Sequence, residues 1–356
     1  MIDQKRISRQ VMNNCNISDA TNAGLFSICG LALRLRDLYK WENKLNPWDE
    51  RDSAEVLDWI GQKEEMWEAM AQDAFTRLTV NGRTYDPFDS SGINAVLAPF
   101  QLYYGAGYGR SLKPTFFLGV VEEKQEIDGI SLLVTGRELA RDLLTIPASS
   151  QDRHILLRRE AGSLYLWDQM QYINKSGRGA LTFALNNCGI RDHRPENLKR
   201  QFSNIYHIHK DLYIYHELGE MQDNTFPRHK WREIISEFPH TTVELAARAV
   251  KDLLADTGER GTLPRIIRER SRARLGFYVA FMTGIAKALF PELPVAFADF
   301  IRSKKWNAIE QATGAGRRRA KKNAHRLITL FEQGKQEKDP QWTEAAVEKE
   351  ILNIDA

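Results

Sequence analysis

Along most of the chain the apolar residues recur at three- and four-residue intervals, the spacing that lines one face of an α-helix. Residues 18–41 open on Ser18 and Asp19, both good helix caps, and are then apolar on nearly every side, which predicts a central helix. A second helix is expected over about 52–78, with Val56, Trp59, Ile60 and Met66 or Trp67 facing inward. Between 78 and 135 the period changes. Asn81-Gly82 and Asp128-Gly129 each join two runs of β-branched and aromatic residues, and both pairs tolerate the positive φ of a two-residue hairpin turn. Beyond Thr135 the pattern predicts helices at about 136–145, 150–175, 195–221, 242–256, 264–289, 294–312, 316–333 and 343–352, punctuated by Pro264, Pro291 and Pro294.

The pattern reads as a mainly α protein of two domains. The first, residues 1–190, is α+β with a small antiparallel sheet at about 78–135. The second, 191–356, is all-α, and the cut falls where polar residues, Gly189 and Pro195 cluster. A length of 356 residues suits two domains. The net charge of +3 is too near balance to mark a nucleic-acid or membrane protein by composition, so any basic function has to be local. Cys15, Cys29 and Cys188 lie too far apart in sequence for a Cys-x-x-Cys metal site or a disulfide framework, which fits a reducing compartment. The first 16 residues are polar, unlike a signal peptide, and the longest uncharged apolar run, 275–286, is shorter than the roughly 20 residues of a membrane span. A cytoplasmic protein with no membrane partner is expected.

The densest chemistry lies in 206–220, YHIHKDLYIYHELGE, with three of the eight histidines. On a helix, His209, Tyr213, His216 and Glu220 share the face of Phe202 and Ile205, while His207 and Glu217 point elsewhere. Imidazole and carboxylate are ligands for zinc, iron or manganese, and His216 with Glu220 has the i, i+4 spacing at which two side chains share one ion. His209 stands about 10.5 Å further along the axis, so it would need a second metal or a supporting role. If the site is catalytic, a metal-bound water is the nucleophile and Glu217 or Glu220 the proton acceptor. His216-Glu217-Leu218-Gly219-Glu220 departs from the zinc-protease motif, having Glu220 in place of the second histidine after a helix-weakening Gly219. The plainer reading of the same residues is a core network in which His209 and His216 are satisfied by Tyr213, Glu220 or backbone groups.

A second candidate is basic. Arg317, Arg318, Arg319, Lys321 and Lys322 follow Gly314 and Gly316 at what the pattern makes the start of a helix, where the macrodipole is already positive and an anion would be welcome. Nucleic acid is the natural polyanion, although a solvated helix face is the better account of the run. Arg34, in the apolar first helix, needs a carboxylate partner if it is buried, and Asp37, Glu42, Asp49 and Glu50 are nearby in sequence.

Three segments, SICGLALRLRDLYKWE with Pro47-Trp48, HELGE at 216–220, and ERGTLPRIIRERSRARLGFYVAFMTGIAKALFPEL at 259–293, together resemble an uncharacterised bacterial family built in two parts. The resemblance implies a bacterial cytoplasmic setting and supplies neither an activity nor a catalytic residue. Three functions therefore compete: a metal-binding helical protein, with or without metal-dependent catalysis; a nucleic-acid or polyanion-binding module; and a non-catalytic interaction or scaffold protein. Each is compatible with a homo-oligomer.

Overall fold

In the computed structural model, which describes residues 2–151 and 153–353, the early helices each begin on a side-chain cap. The Asp3 carboxylate accepts from Arg6 N (3.0 Å) to start α1, Gln4–Asn22. Ser27 accepts from Gly30 N (3.2 Å) to start α2, Ile28–Glu42, and Asp52 accepts from Ala54 N (2.8 Å) to start α3, Ser53–Met70. The expected single helix over 18–41 is thus two helices. Ala23, Ser27 and Gly30 sit at or beside the junction between them, and Ile28 is 89% exposed there.

Hairpin β1, Leu78–Val80, with β2, Arg83–Tyr85, turns as expected on Asn81 (φ 49°) and Gly82 (φ 77°). After α4, Ser90–Leu97, come β3, Leu102–Tyr108, β4, Pro114–Ile127, and β5, Ile130–Arg141, the last two joined through Asp128 (φ 53°) and Gly129 (φ 77°). Then β6, Ala148–Gln151, and β7, His154–Arg158, precede α5, Arg159–Gln171.

The expectation of a small antiparallel sheet is wrong. The sheet has five strands in the order β3-β4-β5-β7-β6, and β5 pairs with β7 in parallel, so it is mixed. It curls, and register shifts along β4 between Leu118 and Glu123 supply the bends. The helices expected at 136–145 and from 150 onward are, up to Arg158, strands β5 to β7. Arg137, Glu138 and Arg141 look like the wet face of a helix, yet Glu138 and Arg141 are buried. Along β4, Phe116 and Leu118 face a core with Val11 and Cys15 of α1, while Phe117 and Val121 face the opposite way onto Leu133 and Leu156.

The chain divides into two compact units, Met1–Asp168 and Gln169–Ala356. The second is helical: α6, Arg178–Asn187; α7, Pro195–Gln222; α8, Arg228–Glu237; α9, Thr242–Thr257; α10, Thr262–Arg268; α11, Arg272–Phe281; α12, Gly284–Leu289; α13, Glu292–Ser303; α14, Asn307–Glu337; and α15, Pro340–Glu350. The break expected between 312 and 316 lies instead at Lys304 (φ 58°), and α14 runs unbroken through both glycines.

Candidate metal centre

α7 is continuous over 28 residues, so His216 and Glu220 lie one above the other on one face. α9 offers a pair with the same spacing, Asp252 and Asp256. Gly219 sets how near the two helices come, because a Cβ there would overlap the carbonyl oxygen of Ala255. The glycine that weakens α7 as an isolated helix is where the α9 backbone rests against it.

Asp256 fixes the imidazole. Its Oδ1 lies 2.9 Å from His216 Nδ1 and accepts from Thr262 Oγ1 (2.6 Å), while Oδ2 accepts from the Tyr278 hydroxyl (2.8 Å). His216 Nε2 then faces Asp252 Oδ1 at 3.8 Å and Glu220 Oε2 at 3.9 Å. Both separations are too long for hydrogen bonds. They lie close to the ligand-to-ligand edge, about 3.4 Å, of a tetrahedral ion with bonds of about 2.1 Å. One donor atom from each of His216, Glu220 and Asp252 falls within 4.8 Å of the others. Lys251 holds the other oxygen of Glu220, Oε1, and its ammonium lies 4.1 Å above the Trp231 ring.

Burial works against a charged His216, but Asp256, Asp252 and Glu217 outweigh it and hold the ring well above the ordinary imidazole value. Burial likewise pushes Glu220 up, and Lys251 with His216 more than reverses it, leaving the carboxyl below its usual range. Asp252 is pushed up to about 6 by partial desolvation and by Glu220 and Asp256, against the pull of His216.

Models of a family of unknown function (DUF6866) match residues 6–158 as its N-terminal domain and 163–350 as its C-terminal domain. The chain belongs to the DUF6866 family. No curated protein and no solved structure matches it. The resemblance to an uncharacterised family is therefore correct, and the α7–α9 cluster lies wholly in the DUF6866 C-terminal domain. No helix among the described residues is long and apolar enough to cross a membrane.

Of the residues singled out by sequence, His216 and Glu220 stay together in this DUF6866 chain and the others are separated from them. His209 is enclosed by the rings of Tyr213, Phe277 and Phe281, with centroids 4.7, 5.3 and 5.5 Å away, and burial alone drives its pKa down to about 3. Its ring is a neutral part of the core. Glu217 is buried on the neighbouring face of α7, close enough to His216 to favour its charge. Sequence reading missed Asp252 and Asp256, whose only signal was an i, i+4 carboxylate pair on α9. The basic run sits in the middle of α14, not at a helix start, so the macrodipole argument falls. Arg317 pairs with Asp223 and donates to Leu254 O (2.7 Å), and Arg319 pairs with Glu292. Arg318, Lys321 and Lys322 are exposed. Arg34 does approach Asp37, at 4.0 Å.

Proposed function

We propose that the C-terminal domain binds one divalent transition metal through His216 Nε2, Glu220 Oε2 and Asp252 Oδ1. The observation that carries this reading is the imidazole itself. Nδ1 is anchored on Asp256, which is anchored in turn by Thr262 and Tyr278, so Nε2 is aimed at two carboxylate oxygens. Carboxylates that fix a ligand imidazole through its second nitrogen are a regular feature of metal sites. One imidazole with two carboxylates suits zinc, iron or manganese better than magnesium or calcium, which take oxygen alone. Asp252 has a side chain 57% exposed, so the ligand set lies at the surface and leaves positions for water or a substrate oxygen. A bound ion there would supply Lewis acidity or a water of lowered pKa.

The test is calorimetric titration of tag-free, chelator-treated protein with Mn²⁺ and with Zn²⁺. One site is expected. His216→Ala and Asp252→Asn should weaken binding at least tenfold, and Gly219→Ala, which removes no ligand but forces α9 away from α7, should weaken it too. His325→Ala, at an exposed histidine on α14, should not. Absence of a stoichiometric site, or equal binding in all four variants, refutes the reading.

A further inference from the structure

The N-terminal unit holds two groups of buried charges that differ in how fully they are satisfied. Lys113 donates to Ser18 Oγ (2.9 Å) and stands 2.9 Å from Asp19 Oδ1 and 3.7 Å from Asp142 Oδ2. Both oxygens of Asp19 accept from Leu143 N (3.2 and 3.1 Å), and those of Asp142 accept from Leu144 N (2.8 Å) and Phe116 N (3.0 Å). Among the described residues, no polar atom of these three side chains is left over. The triad is closed.

The second group is open. The parallel pairing of β5 with β7 sets Arg158 opposite Thr135, three residues along β5 from Glu138. Arg158 Nε and Arg141 Nε lie 2.6 and 3.8 Å from the two oxygens of Glu138, and the guanidinium-bearing side chains are 2% and 0% exposed. Arg141 Nη2 donates to Thr145 Oγ1 (2.7 Å), which donates to Asp37 Oδ2 (3.1 Å). Three atoms of this connected network have no hydrogen-bond partner in the protein, Arg141 Nη1, Arg158 Nη2 and Glu138 Oε2, whereas the Asp37 carboxylate is met by Thr145 and by the Asp168 carboxyl. A buried donor or acceptor left unmet costs more than the bond it forgoes, and native interiors hold few of them. Here two unmet donors, both on cations, stand in one network with an unmet carboxylate acceptor.

We propose that this network is a binding site for a small oxyanion that also carries a hydrogen-bond donor, as a hydroxy acid, an amino acid or a protonated phosphate does. Arg141 Nη1 and Arg158 Nη2 take the oxyanion, since guanidinium N–H groups match carboxylate and phosphate oxygens. Glu138 Oε2 accepts from the hydroxyl or ammonium hydrogen. The site draws on β5 and β7 of the N-terminal unit and is independent of the metal reading.

Wild-type full-length protein is titrated at constant ionic strength with glycolate, glycine and inorganic phosphate in separate arms, following arginine side-chain N–H signals by NMR and the thermal midpoint. At least one probe should shift two arginine signals saturably and raise the midpoint, and the probe that does so tells a carboxylate ligand from a phosphate. Sodium chloride should do neither. Arg158→Lys, which keeps the charge but loses the fork, should weaken binding tenfold or more. The proposal is overturned if no probe gives a saturable shift in the wild type, or if chloride reproduces the effect.

Discussion

Lys113 in the N-terminal unit and His216 in the C-terminal unit each stand among two or more carboxylates, but the two clusters close differently. Around Lys113 the donors that complete Asp19 and Asp142 are backbone N–H groups of Leu143, Leu144 and Phe116, drawn in by the fold of the sheet. Around His216 only Asp256 is completed, and by the side-chain hydroxyls of Thr262 and Tyr278, while Glu220 and Asp252 turn oxygens toward Nε2 without reaching it. The difference teaches what separates a structural clamp from a candidate site. Where the backbone saturates the acids there is nothing left to recruit an ion, and where side chains alone gather on two helices, ligand capacity remains.

The largest effect expected from this contrast is at Lys113. Lys113→Met leaves Asp19 and Asp142 buried without their cation, a loss on the order of 3–5 kcal/mol. Burial already pushes the Asp19 carboxyl above its usual range despite Lys113, so proton uptake by Asp19 holds the cost toward the lower end. Denaturant unfolding of the full chain measures it. A loss below about 1 kcal/mol would show that the triad is not the closed clamp its geometry describes.

His209 gives the next effect, and it separates the buried histidine of α7 from the anchored one seven residues on. The folded protein holds His209 neutral down to about 3, whereas the unfolded chain takes up the proton near its ordinary value of 6.5. Between these values the unfolded state binds more protons, so stability falls as pH drops below 6.5. At pH 4.5 the loss is about 2–3 kcal/mol, at roughly 1.4 kcal/mol per unit. His209→Phe should flatten this part of the stability profile, after subtraction of the acid titration common to both proteins. Parallel curves for the two would mean that the ring is not held neutral in the core.

How much of this was legible in the sequence follows from the same physics. Asn81-Gly82 and Asp128-Gly129 announced their turns because few residues tolerate φ near 50–80°. His216 and Glu220 stood out as one turn of a helix. Asp252 and Asp256 did not, because acidic pairs are common on helix surfaces and these two reach His216 only once Gly219 lets α9 lie against α7. The second half of β5, with β6 and β7, was lost for the reason that makes it interesting. Charges at Glu138, Arg141 and Arg158 imply solvent to any periodicity argument, and here they are inside.

The smallest effect concerns the basic run, where the comparison can be made inside one helix. Arg317 is engaged by Asp223 and the Leu254 carbonyl, and Arg318, Lys321 and Lys322 stand in solvent. Neutralising those three together to glutamine should change stability by no more than about 0.5 kcal/mol, as surface substitutions do. Arg317→Gln, which strips Asp223 of its partner, should cost more. Thermal unfolding compares the two. The same pair of variants also tests the polyanion reading, because a nucleic acid held by this run would lose affinity in the triple variant, with a shallower dependence on salt. With the helix start removed from the argument, binding to single-stranded RNA or duplex DNA is expected to be weak and unchanged by the triple substitution. A salt-dependent loss confined to that variant would restore the run as a binding surface.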